Sequence, residues 1–463
     1  MRESIRGISM GKLFGTDGVR GLANVELTPE IAFKLGKASV FALIKSGKQA
    51  PKIIVGTDTR LSCGMLEAAL CAGMCALGAR VYLAGVIPTP AVAYTVRRRK
   101  FDAGVVISAS HNPFQDNGIK FFNAEGYKLP DSMEAEIEQL VIKGTDDLRG
   151  PSGYEVGTIQ NDPQALPDYV AFLAEVMPRG TTFKGLKIAL DCANGATSAA
   201  APQVFKALGA DVLHVLHHTP TGTNINENCG STHMEALCRY VADNNMDIGV
   251  AFDGDGDRCL LVDEKGQVVD GDQIMSFCGL DMKAKGKLAN NTIVATVMSN
   301  LGLHLMGERE GVKIAAAAVG DRYVLEKMLE DGCNFGGEQS GHIIFLDYNT
   351  TGDGLLTALF AAALMREKNT TLSALGKLMD VLPQTLVNVH VPNDKKSACM
   401  TDKTIQSAIQ QTEQVLAGEG RVLIRPSGTE PLIRIMLEGR DKAFLDTEAN
   451  RLAKIFEEIV AGV

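Results

Sequence analysis

Short strand-like runs alternate with amphipathic, helix-like runs along most of this chain, and few folds can absorb that alternation. Residues 52–56 read Lys-Ile-Ile-Val-Gly, and Leu66, Leu70, Met74 and Leu77 then recur at helical spacing. Strand-like runs at 80–84 and 105–108 follow. The rhythm returns with a strand at 187–191, a helix near 199–208, a strand at 212–216, a helix near 234–243 and a strand at 247–252. It returns again with 292–298, 301–310, 313–319 and 322–329. Strands and helices at this pace predict parallel α/β sheets with functional loops at the strand ends. The end of the chain differs. Residues 386–391, 421–425 and 432–438 are strand-like, and a closing helix carries Leu445, Leu452, Ile455, Phe456 and Ile459 on one face. The expectation is α/β: three related α/β domains with mixed, largely parallel sheets plus a C-terminal α+β domain. A polar segment at 145–167, the turn Asp263-Glu264-Lys265-Gly266 and the region 369–383 mark the boundaries. They divide the chain into 1–160, 161–263, 264–376 and 377–463.

The chain has 463 residues, enough for about three or four domains. With 45% hydrophobic and 22% charged residues it has the balance of a folded globular protein. A net charge of −9 provides no field to hold a nucleic-acid backbone, so an anionic ligand must be drawn by local Arg and Lys. No apolar run approaches the roughly 18 residues of a membrane span. Residues 1–9 lack the apolar centre of a signal peptide, and Met10 reads as the natural start. None of the ten cysteines forms a Cys-x-x-Cys pair, and Cys71, Cys75, Cys238 and Cys278 sit among apolar residues. That pattern predicts free, reduced cysteines in a cytoplasmic protein and no zinc site.

Four loops carry chemistry. In the first, residues 104–107 lead into Ser108, Ser110, His111 and Asn112, with Lys120 ten residues beyond Ser110. A hydroxyl on a tight turn at a strand end is how a fold exposes an oxygen nucleophile. The second is Asp253-Gly254-Asp255-Gly256-Asp257-Arg258, three carboxylates that can converge on one hard cation. Asp253, Asp255, Asp257 and Glu264 also match positions 1, 3, 5 and 12 of an EF-hand loop, but Arg258 stands where that loop needs glycine. Bare carboxylates repel one another, so an acidic turn without a cation gains nothing. The third loop, Gly336 to His342, alternates Glu338, Ser340 and His342, groups that grip sugar hydroxyls and move protons. A plain turn before a strand competes with that reading. The fourth, Arg425-Pro426-Ser427-Gly428-Thr429, is a compact phosphate cradle, with Arg434 close behind. Near the start, Arg20 lies on the glycine-flexed turn Gly15-Thr16-Asp17-Gly18. His214, His217 and His218 read as a surface cluster, and Arg97 to Lys100 as a solvated helix end.

Taken together and in this order, these loops resemble the α-D-phosphohexomutase family from about Gly11 onward. Gly15-Thr16-Asp17-Gly18-Val19-Arg20-Gly21, Asn224-Ile225-Asn226 with Cys229-Gly230-Ser231-Thr232-His233, Val319-Gly320-Asp321-Arg322-Tyr323 and Gln339 point to its branch acting on glucosamine phosphates. The resemblance implies four domains around a central active-site cleft, each giving one loop. It implies that Ser110 carries phosphate, and that Asp253, Asp255, Asp257 and an oxygen on Ser110 bind one Mg²⁺ per site. Glu338 and Ser340 would grip the sugar; Arg425, Ser427, Gly428 and Thr429 would hold the non-reacting phosphate. Arg20, Lys120, Arg258 and His342 would stabilise charge and move protons, with Lys120 and His342 both open as the base. The implied reaction interconverts glucosamine 6-phosphate and glucosamine 1-phosphate through a 1,6-bisphosphate, for UDP-N-acetylglucosamine synthesis. Glucosamine or glucose 1,6-bisphosphate would prime it, and the assembly would be a homodimer. The alternatives are a phosphoglucomutase or phosphomannomutase of the same family and, from another class, a non-catalytic phosphosugar- or calcium-binding protein.

Overall fold

A computed structural model describes residues 13–15, 17–416, 418–427 and 431–462; Met10, Thr16, Gly428 and Thr429 lie outside them. The described residues form four sheets. The first holds β1 (Val19–Leu22), β2 (Lys52–Thr57), β3 (Arg80–Val86), β4 (Ala103–Ile107), β5 (Asp116–Asn123) and β6 (Thr158–Asn161), in the order β1-β5-β4-β2-β3-β6. Its pairs from β4 to β6 are parallel, and β5 closes one side antiparallel to both β4 and β1. The second holds β7 (Lys187–Asp191), β8 (Val212–Leu216), β9 (Ile248–Phe252), β10 (Cys259–Asp263) and β11 (Val268–Val269). The third holds β12 (Thr292–Thr296), β13 (Lys313–Ala317), β14 (Phe335–Gly337) and β15 (Ile343–Phe345). These sheets are mixed: β7 is parallel to β8 and β9, whereas β9–β10 and β14–β15 are antiparallel hairpins.

The sequence-predicted strands and helices form, with ends shifted by a few residues. Burial explains the apolar runs: every residue of β4 and β9 is buried. Helix Cys63–Ala76 packs on β2, β3, β4 and helix Pro29–Lys45, while helix Thr89–Arg99 packs on β2, β4 and β5. Helix Gly271–Ala284 starts at a capping box, in which Asp270 accepts from the Gln273 N–H and Gln273 accepts from the Asp270 N–H. Two of the expected boundary segments also contain regular structure. The turn after Asp263 closes the β10–β11 hairpin inside the second sheet, and the polar segment 145–167 contains β6, which pairs with β3. The arginine run is also more than solvated: Arg97 donates to the Tyr348 carbonyl at 2.8 Å, and Arg99 pairs with Asp162 at 2.7 Å.

Residues 299–313 and 379–463 form a separate compact unit. Its sheet is antiparallel, with β16 (Gln384–His390), β17 (Gly420–Pro426) and β18 (Leu432–Gly439) in the order β16-β18-β17. Helix Lys442–Gly462 packs on β16 and β18 and buries Leu445, Leu452 and Phe456. Helix Leu301–Glu310 joins this unit, and the N–H of Leu301 donates to buried Glu438 at 3.0 Å.

Candidate active site

Ser110 lies on the turn between β4 and β5 with φ 52°, a left-handed conformation that non-glycine residues avoid. What holds it there is buried and charged. The Ser110 N–H donates to the Ser108 hydroxyl at 2.9 Å, and that hydroxyl donates to Asp58 at 2.6 Å. Asp58 also pairs with Arg60 at 2.8 Å, both side chains wholly buried. Arg60 then donates to the carbonyls of Ser110 (2.8 Å), Asn112 (2.9 Å) and Pro113 (2.7 Å). The amide of Asn226 donates to the Ser110 carbonyl from the second sheet's side at 2.9 Å. Strain at Ser110 is thus over-determined by its surroundings, as functional sites require.

The aspartate turn joins β9 to β10 and meets this serine. The Ser110 hydroxyl donates to Asp253 at 2.6 Å. A Cβ on Gly254 would lie 2.5 Å from the Ser110 carbonyl oxygen, so only glycine permits the approach. Asp253, Asp255 and Asp257 are buried, and one oxygen from each lies within 4.8 Å of the others. Burial and the other two carboxylates push Asp253 well above the usual range. One oxygen of Asp255 and one of Asp257 have no hydrogen-bond partner among the described residues. Three buried carboxylates, two of them with idle oxygens, beside a hydroxyl, are the donor set of a hard, oxygen-seeking divalent cation. The EF-hand alternative fails on topology, because strands rather than helices flank the turn.

Cations surround the triplet. The Lys120 ammonium lies 2.9 Å from Asp255, 3.0 Å from Asp17 and 3.6 Å from Asp257. Burial works against its charge, but these three carboxylates win and raise its pKa above the ordinary lysine value. Arg20 pairs with Asp17, as does Lys128, which also meets Asp321. His342 is buried, with Nδ1 3.7 Å from Asp257, and its Nε2 accepts the Gly352 N–H at 3.0 Å. That bond requires a lone pair on Nε2, so the proton faces Asp257. A Cβ on Gly352 would come within 2.6 Å of the ring, so the flat backbone there is what seats the imidazole. Arg20, Ser110, His111, Asp257, Arg258, Glu338 and His342 line one pocket of about 430 Å³. His111 stands 3.3 Å from the Ser110 hydroxyl, and burial with Arg258 and Arg20 lowers its pKa to about 4.

The turn of the hairpin β14–β15 brings Glu338 and His342 to this pocket. Glu338 accepts the Gly320 N–H at 3.2 Å, and the buried Ser340 hydroxyl has no partner among the described residues. Gln339 instead donates to Asp270 at 3.0 Å, tying the loop to the capping box of helix Gly271–Ala284. A methionine could not make that bond. In the C-terminal unit Arg425 and Arg434 are directly opposed on β17 and β18. Burial and Arg434 lower the Arg425 pKa, and its buried Nε has no hydrogen-bond partner among the described residues. Opposed like charges on neighbouring strands cost stability, which an anion offsets. Buried Ser427 follows Arg425 on that strand end.

Ser110, Lys120, Arg20, Arg258, the three aspartates, Glu338 and His342 are therefore brought together from loops as much as 322 residues apart. Sequence reasoning missed Asp58, Arg60 and Lys128, and gave no role to Asp17 and Asp321, although both stand in motifs it singled out. Asp58 and Arg60 lie just past the end of β2, whereas Asp321 opens the helix Asp321–Glu330.

The chain matches four family models in succession. They are phosphoglucomutase/phosphomannomutase alpha/beta/alpha domain I at residues 11–148, domain II at 167–266, domain III at 270–382 and the C-terminal domain at 386–455. It is 54% identical over 451 residues to a phosphoglucosamine mutase of Ruminiclostridium cellulolyticum, covering 97% of this chain and 99% of the relative. It is 53% identical to one of Acetivibrio thermocellus, with the same coverage. Among solved structures it superposes on a phosphoglucomutase/phosphomannomutase family protein of Burkholderia thailandensis at a TM-score of 0.80, with 22% identity and coverage of 96% and 98%. It also matches Aspergillus fumigatus N-acetylphosphoglucosamine mutase, in complex with GlcNAc-6P and magnesium, at 0.68, with 17% identity and coverage of 96% and 95%.

Proposed function

The chain belongs to the phosphoglucomutase/phosphomannomutase family, with phosphoglucosamine mutases as its near relatives, and on that premise we propose how its residues interconvert glucosamine 6-phosphate and glucosamine 1-phosphate. The observation that carries the reading is the Ser110 hydroxyl 2.6 Å from Asp253, at a pocket bearing Arg20, Arg258, Glu338 and His342.

The cycle starts with phospho-Ser110. The O1 hydroxyl of glucosamine 6-phosphate attacks the phosphorus; the bond from phosphorus to Ser110 Oγ breaks, a bond to O1 forms, and the hydroxyl proton is transferred to serine. The bisphosphate then turns around. Its 6-phosphoryl group passes to Ser110 Oγ, the serine proton returns to O6, and glucosamine 1-phosphate leaves. A loose phosphoryl transition state asks for in-line positioning and neutralised oxygens rather than covalent help. Arg20, Arg258 and Lys120 supply fixed positive charge. Mg²⁺, the ion this donor set suits on Asp253, Asp255, Asp257 and the oxygen on Ser110, supplies when bound a divalent charge beside those oxygens. Glu338 and Ser340 orient the sugar hydroxyls.

Proton removal needs a group that is neutral at working pH. The carboxylates around Lys120 favour its charged form, and Nε2 of His342 is occupied by Gly352. To these two candidates we add His111, whose lowered pKa keeps it neutral and whose ring lies beside Ser110. On His111→Gln the plateau of the kcat/KM profile should fall and the acidic limb near pH 4 should vanish; an unchanged profile would remove it.

Arg425 with Ser427, Gly428 and Thr429 anchors the distal phosphate in either orientation. Arg425→Ala is expected to raise KM about 10–100-fold, the worth of one or two charge-assisted hydrogen bonds, and unchanged KM and kcat would refute the anchor. Removing divalent metal with a chelator should stop turnover while far-UV circular dichroism stays the same, and added Mg²⁺ should restore it. Glucosamine or glucose 1,6-bisphosphate is the expected primer, the cytoplasm the compartment and a homodimer the assembly. Among the described residues no helix is long and apolar enough to cross a membrane. A coupled assay decides the substrate: kcat/KM for glucosamine 6-phosphate should exceed that for glucose and mannose 6-phosphates at least ~10-fold, a ratio of the size that one buried polar contact sets. Equal values would favour the phosphoglucomutase or phosphomannomutase reading.

A further inference from the structure

A second cluster of ligating side chains lies at the ends of β7 and β8, away from the aspartate triplet. β7 ends at Asp191, which is paired in register with Leu216 at the end of parallel β8, and His217 follows. Cys229 arrives on the connection that leads away from β8. The Asp191 carboxylate lies 2.9 Å from His217 Nδ1, and ligand atoms of Asp191, His217 and Cys229 all fall within 4.8 Å of one another. The sequence pattern hides this, because the three residues are 26 and 12 positions apart and only one of the three nearby histidines takes part. His214 turns to Tyr240 instead.

Two further observations mark the cluster as a ligand seat. The Cys229 side chain is fully buried, and its sulfur makes no hydrogen bond among the described residues. His217 and Ala193 both hold left-handed backbone angles, φ 45° and 52°. The His217 side chain keeps 30% of its surface exposed, so one side opens to solvent.

We propose that Asp191, His217 and Cys229 bind Zn²⁺. Carboxylate oxygen, imidazole nitrogen and thiolate sulfur are a borderline-soft set, unlike the all-oxygen triplet. Zinc bonds of about 2.0–2.3 Å place tetrahedral ligands roughly 3–4 Å apart, within reach of small side-chain rotations here. Three protein ligands leave a fourth position, which the exposed side of His217 gives to water. Binding displaces the thiol proton of Cys229 to solvent, and the proton shared between His217 Nδ1 and Asp191 leaves to solvent or moves to the other ring nitrogen. The site clamps the segment behind the serine loop: the Asn226 N–H donates to the Ala193 carbonyl at 2.9 Å, while the Asn226 side chain holds the Ser110 carbonyl.

The test uses the full chain, stripped with chelator and then supplied with excess Mg²⁺ to occupy hard sites. Titration with Co²⁺ should produce a thiolate-to-cobalt charge-transfer band that saturates at about one equivalent, and Zn²⁺ should bleach it. Cys229→Ser should abolish the band, and Asp255→Asn should leave it. No band in the parent chain, or an equal band in Cys229→Ser, overturns the proposal. If Cys229→Ser does not fold, His217→Ala serves, since that side chain is partly exposed: at least ~10-fold weaker Co²⁺ binding, as for loss of one supporting ligand, upholds the site, and an unchanged titration in the folded variant overturns it.

Discussion

Ser110→Ala is expected to cut turnover by at least ~10⁴-fold while the protein still folds, the size seen when a covalent nucleophile is removed. The large effect follows from the proposed cycle, in which every turnover passes the phosphoryl group through this one oxygen. The small structural effect follows from the contacts. The variant loses the hydroxyl's bond to Asp253, worth roughly 1 kcal/mol, but the Ser110 backbone keeps its bonds to Ser108, Arg60 and Asn226. Two measurements check it. In the coupled assay the variant should be silent even with bisphosphate present. By intact mass, the parent chain incubated with glucose 1,6-bisphosphate should gain one phosphoryl group and the variant none. A variant that turns over freely, or that is phosphorylated to the same extent, would sink the phosphoserine assignment.

Arg60→Met should destabilise the protein by about 3–5 kcal/mol, because it leaves the wholly buried Asp58 carboxylate without its partner. The side chain also ties down the carbonyls of Ser110, Asn112 and Pro113, so the serine loop loses its floor. Chemical denaturation should show the stability loss, and the folded fraction should lose activity through kcat more than KM. The double variant Asp58→Asn/Arg60→Met separates the causes. It removes the stranded charge and should recover part of the stability, but not the activity. Wild-type kcat in folded Arg60→Met would show that the loop holds its shape without the arginine.

Much of the fold was legible in the sequence because its evidence is local. The apolar runs of β2, β4, β7 and β9 and the helical spacing of Leu66, Leu70 and Met74 declare themselves within ten residues. Hairpins were less legible. Asp263 to Gly266 has the composition of a border, and only pairing between β10 and β11 shows it to be a turn inside one sheet. Helix Leu301–Glu310 was predicted as an element, yet its grouping with the C-terminal sheet depends on packing that no local pattern encodes.

The site divides in the same way. Ser110, the aspartate triplet, Glu338, His342 and Arg425 sit in loops whose composition already asks for phosphate, metal or sugar. The sequence by itself determined that these groups exist, that they follow strands, and that the chain alternates in a way that places strand ends side by side. Tertiary structure alone decided who meets whom. It put Lys120 among Asp17, Asp255 and Asp257, where its charge is fixed. It set Arg60 beneath a loop 50 residues away, and it assembled Asp191, His217 and Cys229 from segments that look unrelated. The physical reason is range. Periodicity and turn chemistry act over a few bonds, whereas Coulomb energy, burial and metal coordination depend on distances in space that appear only once the sheets have formed.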